Sequence, residues 1–285
     1  MAINFSTFKN RRLAMKIIPQ NLLHAKAGRV LPLQLARVFF AAFVMSIFPL
    51  TANAVPHTVE GSDITESEWQ SWPSWCKAVF LASEWANSSK FRGRLTGTAI
   101  DSERKSFMAT YGVHGPHHLC LAIIYINRAR SMTNEKGEFS PRKNLIKKAI
   151  NEISYSEQRT PKTAPGISLL NAYRGIAFHL NGESTKAIAA WEEGIRLQPS
   201  KKDSYLAWAQ SLIADKNYLE AHRLLSRYDK SKEYETADGE YFIGFTLYKL
   251  GKKTEAKERI DKAHALGYPF PGLKKKIDAE IKSKK

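Results

Sequence analysis

The sequence predicts an all-α fold in which antiparallel helix pairs stack into an α-solenoid, preceded by a small helical N-terminal region. One pattern of small and bulky residues recurs three times between residues 168 and 270, with copies 34 and then 35 residues apart. Each copy contains two stretches of helical period separated by a short polar turn. The composition, 43% hydrophobic and 25% charged, is typical of a globular chain and excludes a disordered or collagen-like one.

Five positions define each copy, at offsets 0, 3, 7, 12 and 16. They hold Gly175, Phe178, Gly182, Ala187 and Trp191 in the first copy, Ala209, Leu212, Lys216, Ala221 and Leu225 in the second, and Gly244, Leu247, Gly251, Ala256 and Ile260 in the third. Small residues at offsets 0 and 12 allow two helices to approach closely, and bulky residues at 3 and 16 fill the space between them. Gly182 and Gly251 fall in the turn, where glycine adopts a positive φ at little cost.

This spacing resembles the tetratricopeptide repeat (TPR), a helix–turn–helix unit with the pattern W-x2-L-G-x2-Y, A-x3-F and P. The first copy reads Asn171-x2-Arg174-Gly175-x2-Phe178, followed by Ala187-x3-Trp191 and Pro199. The second copy reads Tyr205-x2-Trp208-Ala209-x2-Leu212, followed by Ala221-x3-Leu225. The third copy reads Ile243-Gly244-x2-Leu247, followed by Ala256-x3-Ile260 and a displaced Pro269. Asn171 and Arg174 depart from the pattern, and the second copy lacks its proline. The resemblance implies repeats over 168–201, 202–236 and 237–270.

The resemblance also implies a concave surface, lined by the first helix of each copy, that binds a protein or peptide. The residues implied for this surface are His179 in the first copy, Asp203 and Gln210 in the second, and Asp238, Tyr241, Phe245, Tyr248 and Lys249 in the third. Because the third copy is the richest in aromatic residues, we expect a peptide anchor there. The alternative is that Phe245 and Tyr248 pack under the final helix.

Weaker signals flank the repeats. Residues 116–166 predict a degenerate helix pair with an inserted polar loop at 132–140, and residues 55–115 predict a Trp-rich helical region. In that region we expect a helix from Pro73 to about Trp85, and a second from an N-cap at Asp101 to about Gly112. Pro116 should open a third helix. After the repeats, residues 271–285 predict a basic capping helix, because its apolar residues share one face; they are Leu273, Ile277 and Ile281.

Two cysteines, Cys76 and Cys120, are the only ones in the chain. A disulfide between the first and third helices is the simplest interpretation, and two buried free thiols are the alternative. A further alternative is a metal or haem site that combines Cys120 with the neighbouring histidines, which are His114, His117 and His118. A closed zinc site normally has two ligand pairs, and no Cys-x-x-Cys-His or His-Glu-x-x-His motif is present. We therefore expect no metal and no cofactor.

The formal net charge of +17 is unevenly distributed along the chain. The first 54 residues contain seven Lys and Arg and no Asp or Glu, and they end in an apolar run and the small-x-small site Ala52-Asn53-Ala54. This pattern predicts a secretory signal peptide over 1–54 with cleavage after Ala54, whether translation starts at Met1 or Met15. An uncleaved inner-membrane anchor is the alternative. We expect an exported, periplasmic protein, so the basic charge does not argue for a nucleic-acid partner.

No catalytic motif stands out. The chain contains neither Gly-x-Ser-x-Gly nor Gly-x-Gly-x-x-Gly, and Gly251-Lys252-Lys253-Thr254 lacks the first glycine of a phosphate-binding loop. The sequence therefore predicts a non-catalytic interaction module with a protein or peptide partner in the cell envelope. Two alternatives remain open: a metal- or redox-linked protein using Cys76, His117 and Cys120, and a peripheral membrane or polyanion binder acting through the Lys-rich tail.

Overall fold

The computed structural model describes residues 64–132, 140–232 and 235–283. The predicted signal peptide at 1–54, most of the inserted loop and the last two lysines lie outside the described residues. Within these ranges the chain is all-α, with twelve α-helices, one 3-10 helix and no strand. The coarse fold class predicted from the sequence is therefore confirmed.

The helices follow one another in the order α1 (Glu66–Ser71), α2 (Ser74–Leu81), a 3-10 helix (Glu84–Ser88), α3 (Gly97–Tyr111), α4 (Pro116–Ser131), α5 (Pro141–Arg159), α6 (Ile167–Leu180), α7 (Ser184–Leu197), α8 (Lys202–Ala214), α9 (Tyr218–Ser231), α10 (Ala237–Lys249), α11 (Lys253–Ala265) and α12 (Gly272–Lys282). Adjacent helices pack as pairs: α4 with α5, α6 with α7, α8 with α9, and α10 with α11.

The helices before α4 pack around aromatic side chains. Trp69 stacks on Phe91 with ring centroids 4.5 Å apart, and the indole of Trp72 donates to the Cys120 carbonyl at 3.3 Å. A disulfide joins Cys76 on α2 to Cys120 on α4, which confirms the predicted covalent link. Helix α2 is thereby attached covalently to α4, the first helix of the α4–α5 pair.

Two predicted boundaries in this region were wrong. Helix α3 begins at Gly97 rather than near Asp101, because the Thr96 hydroxyl accepts a hydrogen bond from the Ala99 amide at 3.2 Å and caps the helix earlier. Its end is as predicted, at Gly112 with φ of +58°. Helix α2 starts after Pro73 but ends at Leu81, and the 3-10 helix then carries the chain onward.

The close approach of the helices in two pairs, α6–α7 and α10–α11, depends on glycine. A Cβ atom added at Gly175 would lie 2.2 Å from Trp191 Nε1, and one added at Gly244 would lie 2.8 Å from Ile260 Cγ1. Each contact joins residues on opposite sides of one tight turn, so the two helices of each pair run antiparallel. The expectation that small residues at offset 0 accommodate bulky ones at offset 16 is confirmed at both sites.

The three turns share one geometry at the same place in each copy. Gly182, Lys216 and Gly251 all have positive φ, at +81°, +62° and +82°. The following residue in each turn donates its amide to a carbonyl five residues earlier, at 2.8 to 3.0 Å. Lysine occupies the second turn although only glycine adopts this conformation without strain.

Successive pairs also touch through their first helices, α4 with α6, α6 with α8, and α8 with α10. Between α6 and α8 the contact includes two buried serines: Ser168 donates its hydroxyl to Ser204 Oγ at 3.2 Å, and Ser204 donates its own to the Ser168 carbonyl at 3.0 Å. Helix α12 packs on α11 and buries Ile277 almost completely. The first helix of each pair is therefore in contact with the first helix of the next.

Candidate interaction surface

The predicted surface residues lie on three successive first helices. His179 is half-buried near the end of α6, with its ring 6.1 Å from that of Trp191. Asp203 and Gln210 are on α8. The other five lie on α10 in environments that differ; they are Asp238, Tyr241, Phe245, Tyr248 and Lys249.

The acidic residue at the start of α10 is engaged in an ion pair within the chain. Both carboxylate oxygens of Asp238 accept from Lys202 Nζ, at 2.9 and 2.8 Å. Burial opposes ionisation of Asp238, but the lysine charge and hydrogen bonds outweigh it and lower the pKa of this carboxyl. Burial raises the pKa of the neighbouring Asp203 carboxyl. A partner would have to displace Lys202 to reach Asp238, so Asp238 fits a structural role better than a contact role.

Tyr248 contacts the final helix. Its hydroxyl donates to Glu280 Oε1 at 2.7 Å, and the Lys276 ammonium lies 5.5 Å from its ring centroid. For Tyr248, these contacts favour the alternative in which the side chain packs against α12.

The three remaining predicted residues of α10 lie in a cluster with Tyr218 of α9 and Tyr268, which follows α11. We call this cluster the α10 aromatic surface; its members are Tyr218, Tyr241, Phe245, Lys249 and Tyr268. Tyr241 stacks on Tyr268 with centroids 4.0 Å apart, and Phe245 lies 6.2 Å from Tyr241 and 6.4 Å from Tyr218. All four rings are half-buried, so each keeps part of its area in solvent. Lys249 is exposed and lies 5.4 Å from the Phe245 ring centroid.

Two members of this surface, Tyr218 and Tyr268, escaped the sequence analysis. Tyr268 stands 24 residues after Gly244, where the first copy has Pro199 24 residues after Gly175. The signal that could have found it was this replacement of the closing proline by an aromatic residue. Exposed Phe270 extends the surface, with its ring 5.9 Å from that of Tyr268.

The surface is chemically suited to binding rather than to acid–base work. Burial raises the pKa of the Tyr241 hydroxyl and, together with the neighbouring Tyr241, that of Tyr268. Both phenols therefore stay protonated at neutral pH. The structure gives Lys249 no carboxylate partner within the described residues, and its ammonium lies 5.5 Å from the Tyr218 ring centroid and 5.4 Å from that of Phe245.

Cys120 and the neighbouring histidines, His114, His117 and His118, have contacts that differ from those expected of metal ligands. Cys120 is bonded to Cys76 and offers no thiolate. His118 Nδ1 lies 2.5 Å from Glu152 Oε2, and burial lowers the pKa of His117. His114 is exposed. In the part of the chain that the structure describes, no group of three or more His, Cys, Asp or Glu side chains is arranged to hold a metal ion.

The basic tail forms ion pairs with the repeat before it. Lys274 binds Asp261 and Asp278, and Glu280 accepts from Lys253 at 2.5 Å. These pairs use part of the charge that a polyanion would need. Among the described residues, no helix has the length and apolar character required to cross a bilayer.

No protein-family model matches this chain, and no curated protein shows significant similarity to it.

Proposed function

We propose that this chain is an exported, non-catalytic interaction protein of the TPR-like α-solenoid type, which binds a protein or peptide partner on the face that carries α10. The serial contacts between first helices, the antiparallel pairs and the common turn geometry support the solenoid assignment. The spacing of the sequence repeat, 34 and 35 residues, is that of the TPR.

The observation that carries the binding proposal is the α10 aromatic surface. Half-buried tyrosine and phenylalanine rings lose little conformational freedom on binding and bury large apolar areas, so residues of this kind dominate interface energies. Lys249 stands beside the rings with its charge uncompensated by any described carboxylate. The partner segment therefore presents an aromatic or aliphatic side chain together with a carboxylate.

The proposed compartment is the periplasm, with an inner-membrane anchor as the alternative. The basic and then apolar start of the sequence supports export. The Cys76–Cys120 disulfide agrees with an oxidising compartment, because structural disulfides persist there.

A capture experiment with envelope extract tests the binding proposal. The purified protein should retain a discrete partner, and the double change Tyr241→Ala and Phe245→Ala should reduce its recovery at least tenfold, because interface aromatics contribute about 2 kcal/mol or more each. Lys249→Glu should also reduce recovery, since it places a like charge opposite the partner's carboxylate.

The matched control is Ile188→Ala, which removes an exposed apolar side chain from α7, the second helix of its pair. This variant should retain the partner fully. Circular dichroism of each variant checks that the helices remain. Equal recovery by the wild type and the double variant would remove the α10 aromatic surface from the proposal.

A further inference from the structure

A polar cleft lies between α5, α6 and α7, away from the α10 aromatic surface. Its volume is about 290 Å³. Its lining combines two cationic, two anionic, one amide and two aliphatic side chains, which are Lys162, Arg174, Glu157, Glu193, Asn171, Ile167 and Leu197. A cleft of this size accommodates a molecule as large as an amino acid.

Two buried polar atoms in this lining have no hydrogen-bond partner in the described structure. Asn171 is 1% exposed, and its amide nitrogen donates to the Ile167 carbonyl at 2.9 Å, but its Oδ1 accepts nothing. Arg174 donates from Nη1 to Glu157, whereas its Nε–H donates to nothing. Leaving such a buried group unpaired costs about 1–3 kcal/mol, so each atom points to a ligand group of opposite polarity.

These two residues are also where the sequence departs from its repeat pattern. Tyr205 and Trp208 occupy the same places in the second copy, and both are large aromatic residues. An amide and a guanidinium in place of two rings leave a cleft and line it with polar atoms. The change therefore both opens the space and supplies its chemistry.

The charges of the lining balance. Glu157 is paired with Arg174, and Glu193 is paired with Arg196, whose hydrogen bonds lower the pKa of that carboxyl. Lys162 is exposed and has no carboxylate within salt-bridge distance among the described residues. Each glutamate retains acceptor capacity for a further donor. The cleft thus offers both signs, and a ligand with one anionic and one cationic group matches it.

We propose that this cleft binds a free aliphatic α-amino acid. The ligand carboxylate accepts from Arg174 Nε and Lys162, and its ammonium donates to Asn171 Oδ1 and Glu193. Ile167 and Leu197 contact its side chain. This site is independent of the proposed partner surface, which lies on a different helix pair.

Isothermal titration calorimetry of the unaltered protein with three related ligands tests the proposal. L-leucine should bind saturably. L-leucinamide lacks the carboxylate and N-acetyl-L-leucine lacks the ammonium, so each should bind at least tenfold more weakly. Because this series uses the wild-type chain, its result does not depend on any variant folding. No saturable binding of L-leucine, or equal binding of all three ligands, would overturn the proposal.

Variants then assign the contacts. Arg174→Leu and Asn171→Leu should each weaken L-leucine binding at least tenfold, because each removes one of the unpaired polar atoms. Arg223→Leu is the matched control, since Arg223 is an exposed residue of α9 outside the lining; it should bind L-leucine as the wild type does. Unchanged affinity in both cleft variants would overturn the assignment of the site.

Discussion

The helix pairs of the first and third repeat copies, α6–α7 and α10–α11, place a polar residue at the same position of the repeat, with different results. In the third pair this residue is Glu240, which is fully buried and accepts from Lys232 at 2.5 Å and from Arg259 at 2.9 Å. Arg259 also binds Asp229 at 2.7 Å, so the network ties α9, α10 and α11 together. In the first pair the residue is Asn171, whose Oδ1 has no described partner.

The difference shows what determines whether a buried polar side chain is fully paired between packed helices or is left unpaired in the lining of a cleft. Arg259 comes from the second helix of the third pair and reaches across to Glu240. At the equivalent position α7 carries Ala190, which has no polar group to offer. The acidic residue that α7 contributes to the cleft, Glu193, is held by Arg196 on its own helix. Glu240 is satisfied because side chains outside its own helix supply its complement, whereas Asn171 Oδ1 has no such complement among the described residues.

Removing Glu240, the buried anion that pairs with Lys232 and Arg259, should have the largest effect on stability. We expect Glu240→Ala to lower the free energy of unfolding by about 3–5 kcal/mol, because Lys232 and Arg259 lose a shared buried counter-ion. Urea unfolding followed by circular dichroism measures it. Asn171→Ala, the change at the same place in the first pair, should cost clearly less. Equal losses would show that the two sites are energetically alike.

Replacing the closely packed glycines should also destabilise the same two pairs unequally, with smaller losses of unfolding free energy. We expect Gly175→Ala to destabilise the protein by about 1–3 kcal/mol, because the new methyl group meets the rigid ring of Trp191. Gly244→Ala should cost less, since the flexible Ile260 side chain can move. The unfolding free energies of the two variants check this order, and a reversed order would contradict the packing account.

The turn of the second pair should gain stability from glycine. Lys216 has φ of +62°, whereas the first and third pairs have glycine at this position. We expect Lys216→Gly to raise the free energy of unfolding by about 1 kcal/mol, because the left-handed conformation is costly for a residue with a Cβ atom. Gly182→Ala in the first turn is the reciprocal change and should lower it. A shift in the thermal midpoint with the opposite sign in either variant would reject the common turn geometry.

Acid should weaken the ion-pair network around Glu240, which includes Asp229, Lys232 and Arg259. Burial opposes ionisation of Asp229, but hydrogen bonds from Lys232 and Arg259 hold the pKa of this carboxyl below its ordinary 3.8. Its stabilising contribution is therefore complete above that value and is lost as the pH falls through the lower folded-state pKa. The Asp229→Asn variant should show a smaller loss of unfolding free energy with acidification. Identical pH profiles for variant and wild type would argue against this ion pair.

The parts of the fold that depend on local pattern could be predicted from the sequence. Helical periodicity and Gly182, Lys216 and Gly251 gave the pairs and turns, and the two cysteines gave the covalent link. The start of α3 was missed because Thr96 and Asp101 are both good N-caps, and packing decides between them. The cleft around Asn171 could not be predicted, since it depends on which atoms neighbouring helices leave unpaired.

Only part of the α10 aromatic surface could be predicted from the sequence, because some of its residues are brought together by the packing of separate helices. Tyr241 and Phe245 were identified from the repeat resemblance. Tyr218 and Tyr268 come from other segments and reach the surface only through the stacking of pairs. Tyr248, predicted on the same grounds as its neighbours, is covered through Glu280 of the final helix.

In-cell photo-crosslinking tests the partner-binding claim most directly. A photoreactive amino acid replaces Phe245 in one strain and Glu192, an exposed residue on α7, in another. We expect one discrete cross-linked envelope protein from position 245 and none from position 192. No adduct at 245, or the same adducts at both positions, would contradict the claim that the α10 aromatic surface binds a partner.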